Sequence, residues 1–318
     1  MRVLLTGASG FVGPYVAEAL TRIDSSAEII ATGREAGRHP RLGDVQALDV
    51  THREAVKEAI ARHRPTHVVN LAGHAATALA NADALQTWRI HVDGVLALGR
   101  AILESDPGCA LVHVGSGLVY GATAARVSPL TEDAVLDPLD EYAATKAAAD
   151  MALGALARRG LRCVRLRPFN HTGPGQSTDF AIPAFAMQIA RIEAGLAPPT
   201  VLVGNLEAER DFLDVRDVAA AYALVAARSA TLPPGAIFNV ASGIPRRMSS
   251  LLESLIGLSR TPIRIEQDPQ RMRPSEVPSI VGDASRAQAL LGWTPRNDLA
   301  DTLRDVLDDC RARVQAAR

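Results

Sequence analysis

Tyr142 and Lys146 stand four residues apart in Tyr142-Ala-Ala-Thr-Lys146, at the head of an Ala-rich stretch with a helical period. At that spacing both side chains share one helix face. A nearby ammonium is expected to lower the phenol pKa, so that Tyr142 exchanges a proton near neutrality. The same lysine can hold a ribose hydroxyl. Ser116 follows the apolar run Leu111–Gly115. A hydroxyl at the carboxyl end of a parallel strand is where open α/β sheets put chemistry. Ser116 can hold and polarise a substrate oxygen while Tyr142 gives or takes the proton.

A second constellation is Thr6-Gly7-Ala8-Ser9-Gly10-Phe11-Val12-Gly13, directly after the first apolar run. Glycines at positions 7, 10 and 13 let the backbone turn tightly and approach a pyrophosphate, while the N-terminus of the next helix supplies free N–H groups. The turn, with Ser9, Phe11 and Val12, is the candidate dinucleotide cradle. Where an acidic residue would accept hydrogen bonds from a free ribose 2′-OH, this chain reads Ala31-Thr32-Gly33-Arg34. Arginine fits a 2′-phosphate, so the expected cofactor is NADP, NADPH preferred, with NAD possible; the alternative is an ordinary solvated arginine. Asp49, with Val50 beside it, is placed for the adenine amino group; its alternative is an N-cap role beside Thr51.

These groups need a scaffold. Strands are expected at Val3–Leu5, Glu28–Thr32, Val45–Leu48, His67–Leu71, Leu111–Gly115 and Cys163–Leu166. Helical periods cover Phe11–Arg22, Arg53–His63, Leu85–Leu103 and Tyr142–Arg159. Alternating strands and helices with near-continuous apolar strands argue for a parallel sheet covered on both faces. The fold class expected is α/β, a Rossmann-type doubly wound parallel sheet with a smaller α/β substrate-binding lobe. After Pro168 the texture changes: a Gly/Pro loop, a helix over Ile182–Ala194, a strand at Val201–Val203, a helix over Val218–Ala227 capped by Asp217, and a strand at Ile237–Val240. The last helix expected is Ala284–Leu291, with Asp283 as its N-cap and Gly292 as its stop. Residues 1–169 and 211–241 are assigned to the dinucleotide-binding domain, and 170–210 and 242–318 to the substrate lobe.

Lys and Arg number 34 against 35 Asp and Glu in 318 residues, a net charge of −1. That balance excludes a nucleic-acid binder working by bulk positive charge and disfavours a membrane-surface role. Cys109, Cys163 and Cys310 are scattered and follow no C-x-x-C pattern, so they read as reduced thiols in a cytoplasmic protein. The histidines show no metal-ligand pattern, and no metal is expected.

The chain resembles the extended short-chain dehydrogenase/reductase family over essentially its whole length. Gly7, Gly10 and Gly13 match the family's Gly-x-x-Gly-x-x-Gly motif, and Ser116, Tyr142 and Lys146 its catalytic triad. Asn70-Leu71-Ala72-Gly73 matches the segment passing under the nicotinamide ribose, and Gly115-Ser116-Gly117-Leu118-Val119-Tyr120-Gly121 the active-site strand and its turn. The run Arg167–Gln176, the run Val203–Ala208 with Arg210-Asp211-Phe212, and Arg273-Pro274-Ser275-Glu276-Val277 look like the GDP-mannose branch of dehydratases and 4-keto reductases. The resemblance implies that Ser116, Asn170, Asn205, Arg210, Arg273 and Glu276 contact a GDP-sugar, and that the protein forms a homodimer through the helices near Leu85–Leu103 and Tyr142–Arg159.

Dehydratases of this branch carry a glutamate two residues after the catalytic Ser or Thr, as the base that removes the C5 proton. Here that residue is Leu118, and leucine cannot abstract a proton. The resemblance therefore implies an NAD(P)H-dependent reductase of the 4-keto group of GDP-4-keto-6-deoxy-D-mannose, forming GDP-D-rhamnose. The alternatives are a 4-epimerase or 4,6-dehydratase of the same family, or a non-catalytic NADP-sensing protein. Two residues depart from the family pattern. His91 heads His91-Val92-Asp93-Gly94 where Asn is common, and His74 stands where this branch often has Gln. His74 is a candidate second proton donor, with a structural role as the alternative.

Overall fold

Residues 1–272 and 277–318 are described by a computed structural model of the chain. In chain order the strands are β1 (Arg2–Thr6), β2 (Glu28–Gly33), β3 (Gly37–His39), β4 (Gly43–Ala47), β5 (His67–Asn70), β6 (Ala110–Val114), β7 (Cys163–Pro168), β8 (Asn170–Thr172), β9 (Thr200–Val203), β10 (Glu209–Asp214), β11 (Ala236–Val240), β12 (Pro245–Arg247), β13 (Arg264–Gln267) and β14 (Ser279–Ile280). The helices are α1 (Gly13–Ile23), α2 (Arg53–His63), α3 (Thr77–Ala82), α4 (Ala84–Trp88), α5 (Gly94–Ser105), α6 (Glu141–Ala157), α7 (Ala181–Glu193), α8 (Val215–Arg228), α9 (Met248–Gly257), α10 (Ser285–Leu291) and α11 (Leu299–Ala316).

The main sheet runs β11-β7-β6-β5-β1-β2-β4-β3. Every pairing in it is parallel except β3 with β4. Successive side chains alternate between its faces. Val3, Leu5, Val69 and Val112 pack with α1 and α8, while Leu4, Val68 and Leu111 pack with α2, α5 and α6. This two-sided burial is why the strands read as continuous apolar runs. The chain leaves β1 toward β2 on one side and returns to β5 on the other. That reversal of strand order opens a crevice beyond the carboxyl ends of β1 and β5.

The remaining strands form a smaller unit. β10 pairs antiparallel with β12 and parallel with β14 and β8, and β9 pairs with β13. Helices α7, α9 and α11 supply its core through Ile182, Phe185, Ile189, Leu252, Leu255, Leu303 and Leu307. The thiols of Cys109, Cys163 and Cys310 are buried and unbridged. Among the described residues, no helix is long and apolar enough to cross a membrane.

Three local readings are corrected. The expected helix Leu85–Leu103 is interrupted: α4 gives way to a π-helical turn over Arg89–Asp93 before α5 begins. One extra residue in a turn rotates the rest of the helix about its axis, and period alone does not reveal it. Asp217 is not the cap of its helix. Asp214 is, accepting from the Arg216 N–H at 2.6 Å, while the Asp217 carboxylate accepts from the backbone N–H groups of Arg296 and Asn297, each at 3.0 Å. Both aspartates suit a cap, and tertiary contacts decide between them. Finally, helices do not end at Leu291: α11 comes after it, capped by Asp298 through the Ala300 N–H at 2.8 Å.

Candidate active site

The glycine turn is shaped by close backbone approach. Gly7 adopts φ +65°, and a Cβ there would lie 2.7 Å from the Ala72 backbone nitrogen. A Cβ on Gly13 would lie 1.9 Å from the Ala8 carbonyl oxygen. Gly10 differs: its nearest contact would be the Gly7 carbonyl at 3.2 Å, with the rest of the space facing the cleft. Helix α1 then starts without a side-chain cap; the Gly13 N–H is taken by the Gly10 carbonyl at 3.2 Å and Pro14 has none, so the N–H groups offered to a ligand are those of Phe11 and Val12 just before it. A hollow kept free of Cβ atoms, ending on an uncapped helix N-terminus, fits a pyrophosphate.

From this turn the cleft extends along the sheet edge with a volume of about 600 Å³, lined by Ser9, Phe11, Val12, Arg34, Asp49, Val50, Leu71, Ala72 and Gly73 among others. The Arg34 side chain is 73% exposed and only loosely paired with Glu35 at 3.9 Å, so its fork is open to a phosphate. Burial pushes the Asp49 carboxyl up, but hydrogen bonds from the Thr51 N–H and hydroxyl at 2.9 and 2.7 Å outweigh it and hold it ionised below its ordinary pKa.

At the other end the cleft meets Ser116, Tyr142 and Lys146. β6 delivers Ser116, whose Oγ accepts from the Leu118 N–H at 3.1 Å and caps the 3₁₀ segment Gly117–Ala125. Helix α6 delivers the other two. Its N-cap Asp140 accepts from the Ala143 N–H at 2.7 Å, and the Tyr142 N–H is held by Asn81 Oδ1 at 3.1 Å. Burial pushes the Tyr142 phenol up to about 12, against a smaller lowering by the Ser116 hydroxyl. Lys146 donates to the Val114 carbonyl at 3.2 Å, and burial brings its ammonium down to about 8. The expected lowering of the phenol by its lysine is therefore overturned. Desolvation dominates and the Asp140 charge adds to it, so Tyr142 keeps its proton at neutral pH.

The two departures from the family pattern flank this group. His91 is 1% exposed, its Nδ1 bonded to Thr145 Oγ1 at 2.8 Å and its ring edge-to-face with Tyr142 at 5.7 Å. Burial first, and then the Lys146 charge, bring its pKa down to about 2, so the ring is neutral. His74 lines the cleft and is tied through Nδ1 to Thr87 Oγ1 at 2.9 Å.

A second hollow of about 680 Å³ adjoins the first. It is lined by Asn205, Arg210, Arg271, Asp140 and Asp179, and shares Leu118, Arg210, Met248 and Ile280 with the cleft. Asn170 lies in the cleft proper. The structure thus brings Asn170, Asn205 and Arg210 to one continuous space with Ser116. Arg273 and Glu276 lie outside the described residues. Arg271, Gln86, His171 and Tyr222 also line the site and were not expected from sequence. His171 stacks on Phe11 with rings 8° from parallel, and its place in the loop after Pro168 was the available signal. Tyr222, in a run of alanines, carried none.

Residues 3–241 match the NAD dependent epimerase/dehydratase family. The chain is 32% identical to a GDP-6-deoxy-D-mannose reductase of Pseudomonas aeruginosa, over 99% of this chain and 98% of that one. Its fold superposes on the structure of RMD from Pseudomonas aeruginosa complexed with NADPH with a TM-score of 0.86 and 30% identity, covering 98% and 99% of the two chains. It also matches a UDP-glucose 4-epimerase of Thermus thermophilus in complex with NAD, at a TM-score of 0.82 and 27% identity over 98% and 99%. The Gly7–Gly13 cradle, the Ser116–Tyr142–Lys146 group and these full-length similarities agree, and the chain belongs to the NAD dependent epimerase/dehydratase family.

Proposed function

We propose that this protein is a nucleotide-sugar reductase that converts the 4-keto group of GDP-4-keto-6-deoxy-D-mannose to a hydroxyl, forming GDP-D-rhamnose with NADPH as reductant. One observation carries the choice of reaction. Among the described residues lining the cleft, Asp49 is the only carboxylate, and it sits at the opposite end from Tyr142, while Leu118 lies beside Ser116; in the adjoining hollow Asp140 is engaged as the α6 cap and Asp179 accepts from the Ser177 hydroxyl. Dehydration needs a base at C5; reduction needs none.

The chain's own groups suit reduction. The Ser116 hydroxyl, already accepting from Leu118, has its proton free to polarise a carbonyl oxygen. Tyr142, with its phenol at about 12, arrives protonated and can give that proton to the oxygen as negative charge develops. Lys146 stands one helical turn away to hold ribose hydroxyls and return a proton to Tyr142. Ala72 and Gly73 floor the cleft beside it. NADPH, when bound, supplies the hydride, and Arg34 at the cleft's far end suits its 2′-phosphate. Arg210 and Asn205 suit the GDP portion in the adjoining hollow. Residues 1–169 and 211–241 hold the dinucleotide in this reading, and 170–210 and 242–318 the sugar nucleotide. The enzyme works in the cytoplasm as a homodimer, with Leu85 and Met151, 77% and 62% exposed, on the faces that meet.

The test is a pair of incubations, one with NADP⁺ and GDP-mannose, the other with NADPH and GDP-4-keto-6-deoxymannose. Oxidation of NADPH in the second alone is expected. Keto-sugar formation in the first, with no NADPH oxidation in the second, overturns the proposal in favour of a dehydratase.

A further inference from the structure

The chemistry above leaves Tyr222 unused. It lies two turns into α8, in the run Ala219-Ala220-Ala221-Tyr222-Ala223, where it is the one large side chain. Its ring belongs to the core between the sheet and helices α1 and α8. The residue is 0% exposed, and its hydroxyl has no hydrogen-bond partner among the described residues. It nevertheless lines the cleft. Phenylalanine would fill the same core space without burying a lone polar group, and a buried donor without an acceptor is costly. The hydroxyl is therefore available to a group that enters the cleft.

Its position says which part of a ligand it meets. A long helical side chain leans toward the helix N-terminus, here toward the carboxyl edge of the sheet. Leu71 and Val114 pack against the core cluster that holds Tyr222, and both line the cleft, with the Val114 carbonyl accepting from Lys146. The hydroxyl thus belongs to the reactive end of the cleft, away from Arg34. At the far end the pyrophosphate has the glycine turn, and at the reactive end ribose hydroxyls have Tyr142 and Lys146. The surrounding cleft wall is apolar, from Leu71, Val114 and Pro168. The group of NADPH that a single hydroxyl donor in an apolar wall suits is the amide oxygen carried on the nicotinamide ring.

We propose that the Tyr222 hydroxyl donates a hydrogen bond to the carboxamide oxygen of the nicotinamide, making Tyr222 a positioning residue that fixes the rotation of the ring before hydride transfer. This inference rests on the reading of the cleft as an NADPH site. It predicts a division of labour: the glycine turn and Arg34 set affinity for the adenosine end, and Tyr222 reads the nicotinamide end.

The test compares wild type with Tyr222→Phe by calorimetric titration of two probes, NADPH and 2′,5′-ADP, which lacks the nicotinamide. The variant is expected to melt at the same temperature as wild type or higher without ligand, because it loses only an unsatisfied hydroxyl. Its Kd for NADPH should rise about fivefold, the worth of one hydrogen bond, and its thermal stabilisation by NADPH should shrink. Its Kd for 2′,5′-ADP should be unchanged. Unchanged NADPH affinity in the variant, or an equal loss for both probes, overturns the role of Tyr222. Failure of wild type itself to bind NADPH overturns the cofactor reading instead.

Discussion

Lys146 keeps an ammonium inside the protein, 6% exposed, with the Val114 carbonyl as its hydrogen-bond acceptor. Folding lowers its pKa from 10.5 to about 8, so between those values the unfolded chain holds a proton that the folded chain has released. The penalty stands in full below pH 8 and is relieved as pH rises toward 10.5. Lys146→Met should therefore be inactive yet more stable at pH 7, by up to about 3 kcal/mol, with the advantage shrinking by about pH 10. Denaturant melts at the two pH values measure this. Tyr142 faces the same desolvation with the opposite consequence, because burial keeps a phenol protonated. That suits an acid, and Tyr142→Phe should lower turnover by about 10²–10⁴-fold while NADPH binding, followed by titration, is retained.

At the scale of the element, the turn between β1 and α1 separates folding from binding. Gly13→Ala drives a methyl into the Ala8 carbonyl and should displace α1, lowering the melting temperature and abolishing cofactor binding together. Gly10→Ala meets one atom at 3.2 Å and should fold normally, yet lose NADPH affinity because the methyl occupies the hollow; melting and titration side by side distinguish them. Asp217 works between elements. Asp217→Ala leaves the Arg296 and Asn297 N–H groups unpaired where α8 meets the segment before α11, and should cost about 2–4 kcal/mol in a urea melt. The glycine turn and the Tyr142–Lys146 spacing were legible in sequence because each is local: a handful of adjacent residues dictates the geometry. The true role of Asp217 was hidden because its partners lie about eighty residues away. α11 had a signal, with Leu303, Val306, Leu307, Cys310 and Val314 buried along one stripe. Its Asp- and Arg-rich remainder hid that period from a reading led by apolar runs.

For the whole molecule, one sheet edge gathers groups from distant parts of the chain: the turn after β1, Arg34 after β2, Ser116 after β6, Tyr142 and Lys146 on α6, and Arg210 on β10. The doubly wound order was readable from alternation and puts the first five at the same edge. The smaller unit was harder to read, because β8, β12 and β14 are two or three residues long and owe their existence to pairing with β10. So the glycine-turn end of the cleft was visible in sequence, while much of the lining of the adjoining hollow, Arg271 included, emerged only with the fold. The proposed function requires a net reduction at C4 of the sugar. The direct measurement is NMR of the product formed from GDP-4-keto-6-deoxymannose and NADPH carrying deuterium at both hydrogens of nicotinamide C4. One deuterium at sugar C4 for each NADPH consumed, with the D-rhamno configuration, is expected; a product without label at C4, or no consumption of NADPH by the folded enzyme, contradicts the proposed function.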